Sequence, residues 1–236
     1  MPLNKTLSLL LAIAFSAAAG SASAAAGRWD AAVAPGTGNG ATSATPWIAA
    51  PAAGSVYAEW NFMGDDDASS PLTVEDSTPD IGAFGLGSAG AQVRETTGGA
   101  FVTGGGNIYS PMVALAFEVT TPSPTVGPVD VWLRVSTIGS ELETVATLNG
   151  VSATAESNFT LPITGGFGGD ENEWLWRWTL SSAPASLNFA FEAAASSVSL
   201  DQVAVYAVPV PEPETYALMA LGLGALALRA RRRNAR

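Results

Sequence analysis

Apolar residues through the middle of this chain alternate with polar or small ones in short runs, and no segment repeats at the longer interval a long amphipathic helix needs. Period two is the signature of strands, whose successive side chains point to opposite faces. Val131, Leu133 and Val135 alternate with Trp132 and Arg134, Leu187, Phe189 and Phe191 with Asn188 and Ala190, and Val203 and Val205 with Ala204 and Tyr206. Trp174, Trp176 and Trp178 share one side of another run, with Leu175, Arg177 and Thr179 opposite. Two further runs, 55–62 and 113–120, read the same way. Asn149-Gly150 lies between two short runs and suits the positive backbone angles of a two-residue hairpin turn. Glycine-rich stretches at 82–90, 98–106 and 165–169, and Pro122, Pro124 and Pro128, punctuate the strands. Strands without helices bury their apolar faces by pairing two sheets or closing a barrel. The expectation is an all-β body over residues 54–208, an antiparallel β-sandwich, jelly-roll-like, of about eight or more strands. Residues 25–53, low in charge and rich in Pro and Gly, form a leader that is either loose or supplies a first strand around Trp47.

The 236 residues include no His and no Cys, which excludes Ser-His-Asp and Cys-His catalytic sets, disulfides and nitrogen or sulfur zinc sites. Only four Arg stand against nineteen carboxylates between Ala25 and Pro211, a net of −15. A body so acidic repels phosphate backbones, so nucleic acid is not an expected partner.

The two ends read as addresses. Lys5, the apolar run from Leu7 to Phe15 and the small residues Ala22-Ser23-Ala24 form a secretory signal peptide over 1–24, for signal peptidase to remove. At the other end Val210-Pro211-Glu212-Pro213 precedes an uncharged stretch from Thr215 to Leu228, then Arg229, Arg231, Arg232 and Arg233. The prolines interrupt regular structure, the apolar stretch suits a transmembrane helix, and the arginines belong on the cytoplasmic side. Fourteen helical residues span only about 21 Å against a hydrocarbon core of ~30 Å, so the tether is marginal and suits temporary retention. Both ends then give one topology, body outside and tail inside.

The run Val210-Pro211-Glu212-Pro213-Glu214-Thr215-Tyr216, the apolar stretch and the Arg cluster together resemble a PEP-CTERM sorting signal, here assigned to 209–236. That resemblance implies recognition and tail removal by exosortase, a membrane-embedded enzyme of bacteria that make exopolysaccharide. It also implies a transient inner-membrane anchor, then the cell surface or extracellular matrix. Tyr216 stands where the family often has Trp, and the likeness says nothing of the middle. Separately, 197–206 resembles the closing strand of carbohydrate-binding jelly rolls, and 131–135 and 174–178 are similar to the paired strands before it. Asp201, which interrupts that strand, reads as a structural carboxylate accepting backbone hydrogen bonds at a strand edge.

Three candidate chemistries remain for the middle. Trp174, Trp176 and Trp178 form either an inward core row or an outward platform for sugar rings. Asp65, Asp66 and Asp67, and Asp170 with its acidic neighbours, are dense oxygen clusters, read either as solvated loops or as a Ca2+ site without the EF-hand pattern. A glycosidase needs two convergent carboxylates and neither His nor Cys. Glu59, Glu118, Glu141, Glu143 and Glu192 lie on or beside expected strands, but spacing cannot show that any two converge. Asn158-Phe159-Thr160 matches a glycosylation sequon, a weak pattern. The expected role is a non-enzymatic surface or exopolysaccharide-matrix protein touching carbohydrate. The alternatives are a secreted carbohydrate-active enzyme and a purely structural adhesin.

Overall fold

The computed structural model describes residues 54–64, 73–80, 90–124, 127–155, 157–163 and 169–210, with 218–219, 221–224 and 226 in the tail. The expected signal peptide, the leader and the Asp65-Asp66-Asp67 run lie outside the described residues. Thirteen strands follow one another among those described: β1 Val56–Trp60, β2 Glu75–Asp76, β3 Gln92–Glu95, β4 Phe101–Val102, β5 Ile108–Tyr109, β6 Ala116–Pro122 and β7 Val129–Gly139. Then come β8 Val145–Leu148, β9 Val151–Thr154, β10 Ser157–Pro162, β11 Asp170–Leu180, β12 Ser186–Glu192 and β13 Val198–Pro209. They form two sheets in which every pairing is antiparallel. The larger has the order β10-β11-β7-β13-β5-β4, with β1 also on β13, and the smaller the order β2-β3-β6-β12-β8-β9.

The long strand β13 organises the larger sheet. One edge pairs with β7 along its length, and the other takes β5 at Ser199 and Leu200, then β1 from Val203 to Ala207. The register shift between Leu200 and Gln202 falls at Asp201, which accepts a hydrogen bond from Asn107 Nδ2 at 2.7 Å. Asp201 is therefore structural in part as expected, but on an interior strand and with a side-chain amide as donor. Gly139 ends β7 at φ 93, where a Cβ would lie 2.4 Å from the Ser197 carbonyl oxygen, so only glycine lets the chains meet there.

The two sheets share one core. Val131, Leu133 and Val135 on β7 line up with Trp178, Trp176 and Trp174 on β11, as the alternation requires. Trp176 stacks on Phe191 of β12 at 6.3 Å, and Trp178 meets Phe189 edge-on at 5.6 Å. Both indoles reach a carbonyl of the opposing layer, Trp176 Nε1 donating to Thr144 O at 3.0 Å and Trp178 Nε1 to Val151 O at 2.9 Å. Truncating such a buried Trp typically costs about 3–5 kcal/mol.

The expected hairpin is present. Asn149 and Gly150 take φ of 49 and 81 between β8 and β9, whose Leu148 and Val151 face each other. The run expected from 113 begins as a strand only at Ala116, since Met112 and Val113 are exposed in a bend. Three acidic residues serve the backbone: Asp80 accepts from the Asn61 and Phe62 amides, Asp76 from Gly64 and Thr78, and Glu95 from Thr97 and Gly98. Backbone donors in loops need such partners, which uses up part of the carboxylate excess.

Candidate functional site

The outward faces of the two sheets differ in kind. On the smaller sheet β6 and β12 alternate cleanly, with Phe117, Val119, Leu187, Phe189 and Phe191 inside and Glu118, Asn188 and Glu192 exposed. On the larger sheet β1 and most of β7 and β11 are buried on both sides. Its outward row carries Glu59 at 0% exposure, Arg134 at 4% and Glu173 at 3%. Arg134 pairs with Glu173, and the Tyr57 hydroxyl donates to Glu59. Beyond them Trp132 stacks on Tyr206 at 5.5 Å, and the Arg177 guanidinium lies 5.3 Å over Trp132 while bonding Asp130 at 3.2 Å.

The tryptophan row from the sequence is inward. Trp174, Trp176 and Trp178 are 2%, 0% and 4% exposed and belong to the core, which overturns the outward sugar platform. Alternation had put them on one face, but with β11 buried on both sides it could not tell which face met solvent. Asp170 is exposed at the start of β11, and among the described residues no group of three or more carboxylates is placed to hold a metal ion.

Of the five glutamates considered for acid-base chemistry, Glu59 stands on the larger sheet, and Glu118 and Glu192 share the outward face of the smaller one. Glu118 pairs with Ala190 and Glu192 with Ala116, which makes the two carboxylates diagonal neighbours across β6 and β12. Such positions are about 7–8 Å apart. Glu141 and Glu143 lie between β7 and β8.

Beside Glu118 the smaller sheet holds a depression of about 360 Å³ lined by Glu118, Thr120, Thr147, Asn149, Asn188 and Ala190. Its rim is stapled. The Asn188 backbone amide and Nδ2 donate to Asn149 Oδ1 at 3.0 and 3.1 Å, and Asn149 Nδ2 donates to Ser186 O at 3.0 Å. Asn149 N also reaches Asn188 O at 2.8 Å, and Thr120 Oγ1 donates to Asn188 Oδ1 at 3.1 Å. The hairpin tip is thus latched onto β12. The sequence marked Asn149 only as a turn residue, and nothing in it pointed to Thr147 or to Asn188 as its partner.

The sorting tail leaves straight from the fold. β13 ends at Pro209, and the Val210 amide donates to Pro128 O at 2.8 Å. Pro211, Glu212 and Pro213 and the arginines at 229 and 231–233 lie outside the described residues, while Leu218, Met219, Leu221, Leu223 and Leu226 are helical and exposed. Among the described residues no helix is long and apolar enough to cross a membrane.

Fold and tail together define a β-rich protein of two antiparallel sheets with a carboxy-terminal address. The PEP-CTERM protein-sorting motif matches residues 209–233, so the chain is a PEP-CTERM domain-containing protein. The motif marks it as exosortase-sorted, with exosortase as its processing partner, and implies export and sorting to the cell surface. Among curated proteins none matches the chain.

Proposed function

We propose that this is an exported, non-enzymatic β-sandwich protein, jelly-roll-like in character, that ends as a component of the cell surface or exopolysaccharide matrix and touches polysaccharide there. In this reading the signal peptide over 1–24 takes the chain across the membrane, and the apolar stretch from Thr215 to Leu228 holds it briefly with the arginines on the cytoplasmic side. The observation that carries the reading is the join between body and tail. The sorting motif starts at 209, where the last strand of the larger sheet ends, so among the described residues no strand runs past the first residue of the motif. Cutting within the motif would therefore release a body with its sheets and core complete. A non-enzymatic role is supported by the engagement of buried Glu173 with Arg134 and of Glu59 with Tyr57, and by the exposure of Glu118 and Glu192. Replacing Pro211-Glu212-Pro213 with alanines in the native host should block release from the membrane fraction. Unchanged release would count against the assignment.

A second reading, a carbohydrate-active enzyme, is favoured by one observation, the diagonal placement of Glu118 and Glu192 beside the depression. Reducing-sugar release from the host exopolysaccharide, lost in Glu118→Gln and in Glu192→Gln, would establish it over the first. A glycan array on which the protein binds nothing would favour the structural adhesin.

A further inference from the structure

We infer that the depression between β6, β12 and the β8–β9 hairpin is a binding site for a neutral sugar unit. This rests on the matrix reading above and deepens it, by placing the contact on the smaller sheet and naming its chemistry.

Hydrogen-bonding capacity around the depression is only partly spent. Among the described residues Asn149 Nδ2 uses one of its two protons on Ser186 O, while Thr120 spends its proton on Asn188 Oδ1 and keeps its lone pairs. Thr147 contributes a hydroxyl that can both donate and accept, and Glu118 a carboxylate that only accepts. Donors and acceptors are interleaved over a few ångströms, and the group that matches such a set is the alcohol, which is both at once. Ala190, between Glu118 and Thr147 in the register, leaves the floor low.

Charge narrows the class. Arg94 stands opposite Glu118 across the β3–β6 ladder, so a cation seated beside Glu118 would meet a positive charge one strand away. An acidic sugar would meet the Glu118 and Glu192 carboxylates on a body of strong net negative charge. Size narrows it again: at about 360 Å³ the depression is at the small end of ligand sites, suited to one ring and its hydroxyls. Rigidity favours recognition, because the Asn149–Asn188 bonds fix the rim before a ligand arrives and lower the ordering cost.

The test uses the full chain, isotope-labelled and held in a zwitterionic detergent so that no sugar headgroup competes. Glucose, galactose and mannose are titrated separately and followed by amide and side-chain NMR, with galacturonic acid as the charged comparator. At least one neutral sugar should shift the signals of Asn149, Asn188 and Thr147. Thr147→Val and Glu118→Gln should each weaken that sugar by about tenfold, the worth of one hydrogen bond to a charged or well-placed group. Glu118 is exposed and Thr147 half-buried on the outward face, so the melting temperatures should stay close to the parent's. The inference is overturned if no neutral sugar shifts these signals, if both variants bind as the parent does, or if galacturonic acid binds as tightly as the best neutral sugar. None of these results bears on whether the tail is cut in cells, so the sorting account stands or falls separately.

Discussion

The outward faces of the two sheets solve opposite problems with the same strand geometry. The larger sheet hides its face, and to do so it closes charges on one another and stacks rings over them: Arg134 on Glu173, Tyr57 on Glu59, Arg177 over Trp132. The smaller sheet leaves its face wet, so Glu118, Asn188 and Glu192 need no burial partner and the amides are free to form a rim. The lesson is that chemistry-bearing residues on a two-sheet fold are informative only with the exposure of their face. Buried carboxylates on one sheet are structural, and exposed ones on the other are available.

The contrast breaks most readily at Arg134. Arg134→Ala leaves Glu173 charged and buried, so urea unfolding should show a loss of about 3–5 kcal/mol. Replacing both partners by apolar residues, Arg134→Met with Glu173→Leu, should recover most of it, since the pair gains little over good packing. A single substitution that cost nothing would mean the face is open after all. Next in size is Asn149→Ala. It removes the residue type that tolerates positive φ together with the bonds to Asn188 and Ser186, and should cost about 1–2 kcal/mol. Arg177→Ala should cost about 1 kcal/mol or less, because the Asp130 pair is partly exposed and the stacking on Trp132 is modest. Smallest of all, Glu118→Ala should change stability by under about 0.5 kcal/mol. A penalty there comparable with that of Arg134→Ala would erase the distinction between the faces.

Much of this was legible beforehand, for physical reasons that also set the limit. Alternation in 131–135 and 187–191 announces strands because one side of each must be apolar, and Asn149-Gly150 announces its turn because few residue pairs take two positive φ angles. Two-residue strands such as β2, β4 and β5 carry too few residues to show any period. The inward direction of Trp174, Trp176 and Trp178 was open because Leu175 and Arg134 on the opposite face are nearly as buried, so composition no longer separates inside from outside. The meeting of Glu118 with Glu192, and of Asn149 with Asn188, depends on β12 pairing with β6 on one side and β8 on the other. Those registers join residues far apart in the chain, and no local signal encodes them. The sorting motif at the tail was the reverse case, readable because it consists in the order and type of neighbouring residues and needs no pairing between distant parts of the chain.

The measurement that bears most directly on the central claim is the intact mass of the protein recovered from the surface fraction of native cells. A surface species lacking the stretch from Thr215 to Arg236 is the result this account predicts. A surface species that keeps the whole tail, or a protein found only in the cytosol, would contradict it.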